Sequence, residues 1–103
     1  MSRAETSFEP SDAWLLLSVL YAHDPADAKR LREVGDFIGH AIFTDAELEG
    51  GLARLNAAGH VVQEQGRVTA SRPVEEWFAE ASPARSQVPA DLERVASFLS
   101  ISD

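Results

Sequence analysis

The sequence predicts a mainly α-helical domain carrying one small β-hairpin, an α+β class of fold. Three observations carry that expectation. Apolar residues recur at helical spacing in five stretches. Thr44 and Glu47 stand at the spacing of a helix-capping box. Two short β-prone runs, Val61-Val62-Gln63-Glu64 and Arg67-Val68-Thr69-Ala70, flank the dipeptide Gln65-Gly66. With 103 residues, 45% of them hydrophobic, the chain suits one domain with one core.

Residues 1–10 are polar and are expected to be flexible. Pro10-Ser11-Asp12 marks a helix start, with the cap expected from the hydroxyl of Ser11 or the carboxylate of Asp12. Trp14, Leu15, Leu16, Leu17, Val19, Leu20 and Tyr21 then cover nearly every direction of the helical wheel. Only the sector of Ser18 and Ala22 is spared, so this helix must be covered on more than one side. His23-Asp24-Pro25 ends it, because the residue before a proline avoids helical geometry. A second helix is expected over residues 28–39, burying Leu31, Val34, Phe37 and Ile38.

After the break at His40-Ala41-Ile42 comes the clearest local signal. The Thr44 hydroxyl and the Glu47 carboxylate can each accept from the other's backbone amide, with Phe43 and Leu48 at the staple positions. The third helix therefore starts at Asp45 and is expected to bury Leu48, Leu52 and Leu55, with Gly59 ending it. In the hairpin, Val61, Val68 and Ala70 share a face with Gln63, and Glu64 faces Arg67. Pro73 suits the first turn of a short helix bearing Val74, Trp77, Phe78 and Ala81. A linker over residues 82–89 leads to a last amphipathic helix over 90–100, with Leu92, Val95, Phe98 and Leu99. The expected organisation is a flexible segment (1–10), a core (11–72) and a helical extension (73–103) that packs on the core or on a partner chain.

This order resembles a winged helix-turn-helix domain over residues 12–71. The resemblance rests on Leu31-Arg32-Glu33-Val34, on Thr44-Asp45-Ala46-Glu47-Leu48, and on the run from Leu52-Ala53-Arg54-Leu55 through Gly59 into Val61-Val62. It implies that the third helix enters the DNA major groove while the hairpin, as wing, touches phosphate. The residues then available for nucleic-acid contact are Lys29, Arg30, Arg32, Arg54 and Arg67. The surface departs from that pattern. The outer side of the third helix presents Ala46, Gly50, Ala53 and Ala57, and its first turns carry Asp45, Glu47 and Glu49. Base reading favours Arg, Lys, Asn and Gln.

The charge distribution argues the same way. The formal net charge is -8, concentrated in the flanks of a nearly neutral middle, and phosphate backbones reward clustered cations. Lys29-Arg30-Leu31-Arg32 is the one basic cluster, and Asp27, Glu33 and Asp36 balance it. There is no cysteine, no phosphate-cradling glycine loop and no nucleophile–base spacing. His23, Asp24 and Asp27 lack further ligands at a metal-binding spacing. No enzyme activity, cofactor, metal or small-molecule substrate is expected. The N-terminus lacks a signal pattern and no apolar run reaches the ~20 residues of a membrane span, so the expected location is the cytoplasm.

These features lead to an acidic, non-enzymatic interaction module that binds a protein partner or itself, with a DNA-binding transcriptional regulator as the alternative. The interface candidates are Trp14, Leu15, Ala46, Gly50, Ala53, Ala57, Trp77 and Phe98. The apolar excess of the first helix and the tail is expected to be met by packing the last helix on the first, within one chain or across the two-fold axis of a homodimer.

Overall fold

The computed structural model describes residues 8–23, 25–81 and 87–102. The expectations placed on residues 1–7, on Asp24 and on residues 82–86 of the linker lie outside the described residues. Five helices and a two-stranded antiparallel hairpin follow in order: α1 (Pro10–Ala22), α2 (Ala28–Gly39), α3 (Asp45–Ala57), β1 (Val61–Glu64), β2 (Arg67–Ala70), α4 (Arg72–Ala81) and α5 (Val88–Ser102). The fold is mainly helical with a small hairpin, as the sequence predicts.

α1 is the central element and packs against α2, α3, α5 and β2. Its cap differs from the expectation. Glu9 is the extended N-cap and Pro10 takes the first turn, where a missing N–H costs nothing. Asp12 stands at the third helical position, and its carboxylate accepts from the Glu9 amide at 2.8 Å. Leu15, Leu16, Leu17, Val19 and Leu20 are buried. So are Ser18 and Ala22, the sector expected to be spared. Ser18 tolerates burial because its hydroxyl donates to the Trp14 carbonyl at 2.9 Å. α5 of the same chain supplies the cover on the remaining side of α1.

In α2 the Asp27 side chain caps by accepting from the Arg30 amide. Its inner line is Leu31, Val34, Gly35 and Ile38. Phe37, expected inside, is 68% exposed. The aromatic volume on the inner side comes instead from Phe43, which stacks on Trp14 with ring centroids 3.8 Å apart and lies where a Cβ on Gly35 would stand.

α3 starts with the capping box between Thr44 and Glu47, and both staple residues, Phe43 and Leu48, are buried. Its inner line is Leu48, Gly51 and Leu55, whereas Leu52 is only half-buried. Gly51 takes that place because α1 passes close by: a Cβ there would stand 2.7 Å from a Leu15 methyl and 2.9 Å from Asp12 Oδ1. The hairpin pairs Val61 with Ala70, Gln63 with Val68 and Glu64 with Arg67, the expected register. Gln65 and Gly66 both have positive φ, as a tight two-residue hairpin turn demands. Ala26 bridges the far side of β2 through two hydrogen bonds with Val68, a pairing not anticipated from the sequence.

α5 runs longer than the expected 90–100. Val95 and Leu99 enter the core, and Asp91, itself buried, accepts from the Tyr21 hydroxyl of α1 at 2.6 Å. Burial and this carboxylate push the Tyr21 pKa upward. Trp77 of α4 stacks on Phe98 of α5, ring centroids 4.4 Å apart.

Candidate functional site

The surface that a groove-reading winged helix would offer is built around Arg54. Gly50, one turn earlier on α3, leaves the guanidinium room: a Cβ at residue 50 would stand 3.3 Å from Arg54 Nη1. Side chains on a helix lean towards its N-terminus, and here the lean carries Arg54 inward. Its Nε and Nη2 donate to the two oxygens of Asp12 at 2.7 and 2.8 Å, while Glu9 adds a looser ion pair at 3.7 Å. The Asp12 carboxylate is fully buried and so depends on this fork. The hydrogen bond to Asp12, more than the opposing cost of burial, raises the Arg54 pKa. Arg54 therefore clamps α1 to α3.

The other four cations do not gather beside it. Arg32 pairs with Asp45 and donates to the Phe43 carbonyl at 3.4 Å, tying α2 to the start of α3. Arg30 lies 3.9 Å from Glu33 on its own helix. Arg67 sits at the hairpin tip opposite Glu64. Lys29 is exposed on α2.

The interface candidates also separate. Leu15 is wholly buried beneath Gly51, so it belongs to the core and offers nothing to a partner. Trp14 is half-buried, and its Nε1 donates to the Gly35 carbonyl at 2.9 Å, joining α1 to α2. Ala46, Ala53 and Ala57 are exposed along α3, with Gly50 half-covered. Trp77 and Phe98 line an open cleft of about 400 Å³ between α4 and α5, together with Ala90, Glu93, Arg94 and Ser97. Arg94 is held there by Asp91 at 2.8 Å.

Behind this cleft Phe98 faces His60 at 5.0 Å, and His60 faces Phe8 at 5.9 Å. Among the described residues, the buried His60 Nε2 and Ser71 Oγ have no hydrogen-bond partner. Burial lowers the His60 pKa. Among the described residues, no group of three or more His, Cys, Asp or Glu side chains could hold a metal ion. None of the described helices is long and apolar enough to cross a membrane.

Three large apolar residues are exposed: Phe37 at 68%, expected in the core, Ile42 at 65% and Val62 of β1 at 46%. Ile42 lines a cavity of about 280 Å³ with Lys29, Arg32, Glu33 and Asp36. Phe37 follows Glu33 by one helical turn and so borders the same face. The wheel of α2 held the signal, because Leu31, Val34, Gly35 and Ile38 complete an inner line without Phe37. Ile42 falls in the break between helices, where periodicity says nothing. No family model, curated protein or solved structure gives a significant match to this chain.

Proposed function

We propose that the chain is a cytoplasmic, non-enzymatic protein-binding module that uses a winged-helix scaffold without reading DNA. The observation that carries this reading is the exposure of Phe37 on α2 and of Ile42 in the break after it, in a fold that covers even the all-round apolar α1. Large apolar side chains grouped on a soluble surface mark interaction sites. The order α1, α2, α3, β1, β2 supports the scaffold. Against the DNA alternative stand the inward Arg54, the pairing of Arg32 with Asp45, and the small and acidic outer side of α3.

α5 covers α1 within the chain; the partner proposed first is another protein, and a second copy of the chain is the other reading. The test is a titration of the full chain against random duplex DNA, followed by selection from a sequence pool. Binding no tighter than about 10⁻⁴ M at physiological salt is expected. Enrichment of a defined site with nanomolar affinity would overturn the proposal in favour of the regulator.

A further inference from the structure

We propose that His60 is an acid-sensitive latch, whose protonation loosens α5 from the body formed by α1, α2, α3 and the hairpin. The proposal goes beyond the protein-binding function and does not depend on it. His60 stands between α3 and β1, and its backbone is fixed on both sides. Its N–H donates to the Leu55 carbonyl at 2.9 Å, and its carbonyl accepts from the Ser71 N–H at 2.8 Å. The imidazole is thereby held between the ring of Phe8, at 5.9 Å, and that of Phe98 on α5, at 5.0 Å. The residue is half-buried, yet its Nε2 is shut off from water and has no hydrogen-bond partner among the described residues. A charged ring in this place would carry an N–H with nothing to accept it, which costs far more than a neutral ring does.

The charged groups on the surrounding elements are turned elsewhere. Phe8 leads into Glu9, which is drawn to Arg54, and Arg54 is itself held by Asp12. The hairpin carries Glu64 and Arg67 at its far tip. Ser71, whose hydroxyl is also without a partner, precedes Arg72, which pairs with Glu76, while Glu75 is exposed. On α5, Arg94 is paired with Asp91, and Glu93 lines the outer cleft. Burial alone accordingly holds the His60 pKa below its ordinary 6.5. With the backbone of His60 fixed, the contact that yields to a charged ring is Phe98, the nearer of the two aromatic neighbours. α5 rests on α1 through Val95, Leu99 and the Tyr21–Asp91 hydrogen bond. α1 holds α2, α3 and β2 by contacts of its own, so α5 can lift without undoing them.

Amide hydrogen exchange of the full chain, corrected for the intrinsic effect of pH, reads the latch helix by helix. A released His60 titrates near 6.5, so moving from pH 7.5 to 5.5 favours release by about tenfold at most. Protection over residues 91–99 should fall several-fold more than protection over residues 48–55 of α3. In His60→Gln, which cannot charge, the two stretches should change together, and His60→Phe, which keeps a neutral ring in place, should behave alike. The imidazole of the parent, followed by its carbon shifts, should titrate below 6.5. The proposal is overturned by protection that falls equally in α3 and α5, since the acid response would then be global. It is overturned by a loss confined to the residues next to Phe8, or by a His60 ring that titrates at or above 6.5. An α5 response that survives in both neutral variants would overturn it too, tracing the effect to another group such as the buried Asp91. None of these outcomes bears on the protein-binding function.

Discussion

Arg54 closes a two-pronged ion pair on Asp12 across 42 residues of sequence, and the aspartate has no exposure to water. The pair joins the first turn of α1 to the last turn of α3. A buried charge robbed of its partner is costly, whereas replacing both partners by apolar groups is often tolerated. Arg54→Met should therefore destabilise the fold by about 3–5 kcal/mol, much of the ~5–15 kcal/mol available to a small domain. Adding Asp12→Leu should recover most of that loss, less about 1 kcal/mol for the forfeited cap on the Glu9 amide. Urea midpoints of the single and double variants decide it. A double variant no more stable than Arg54→Met would show that the orphaned Asp12 carboxylate is not what costs the single variant its stability.

Gly51→Ala tests how closely α1 and α3 approach. Helix propensity alone favours alanine by about 1 kcal/mol, but the new methyl would meet Leu15 and Asp12 at under 3 Å. Overpacking should win, with a net loss of about 1–3 kcal/mol. Gly50→Ala meets only the Arg54 guanidinium, at 3.3 Å, and should come out near neutral. Thermal melts of the two variants should separate clearly.

The inner line of α3 predicts unequal costs for its leucines. Leu55 is fully buried and Leu52 half-buried. Leu55→Ala should cost about 2–5 kcal/mol, the usual range for a core leucine, and Leu52→Ala clearly less. Equal losses in chemical denaturation would mean that the face is turned differently.

His60 predicts acid sensitivity. Its ring lies between Phe8 and Phe98, and burial holds its pKa below the ordinary 6.5. The unfolded chain takes up the proton near 6.5 while the folded chain resists. Its contribution is thus intact above that pH, declines as pH falls through 6.5 towards the lowered value, and levels off below it. One proton sets a limiting slope of about 1.4 kcal/mol per pH unit. Melting curves from pH 7.5 to 5 should be less pH-dependent for His60→Gln than for the parent, and identical profiles would refute the assignment.

Much of this architecture was legible in the sequence where the signal is local. Phe43, Thr44, Glu47 and Leu48 lie within six consecutive residues, and all four take their expected places. The hairpin register follows from two four-residue strands and a two-residue turn, and it too is as expected. What escaped the reading depends on distant chain. The inward turn of Arg54 needs a buried acid on another helix, so its tie to Asp12 leaves no trace in the local sequence. Leu15 was a candidate for the surface because nothing in α1 says which side α3 will cover. Phe37 was assigned to the core on spacing, yet the place it would fill is occupied by Phe43 from the following turn. The Ala26 bridge to Val68 leaves no periodic trace at all.

The cover that α5 gives to α1 also has a temporal side. Tyr21 meets Asp91 across 70 residues, and Val95 and Leu99 complete the core from near the far end of the sequence. During synthesis, α1 emerges long before the helix that shields its flank. At roughly 5–20 residues per second, that flank stays bare for several seconds, a period in which α1, α2 and α3 can already dock on one another. A nascent chain or proteolytic fragment lacking residues 88–102 would keep that flank bare indefinitely. Such pieces should be the ones that chaperones retain and that aggregate first, ahead of chains that carry α5.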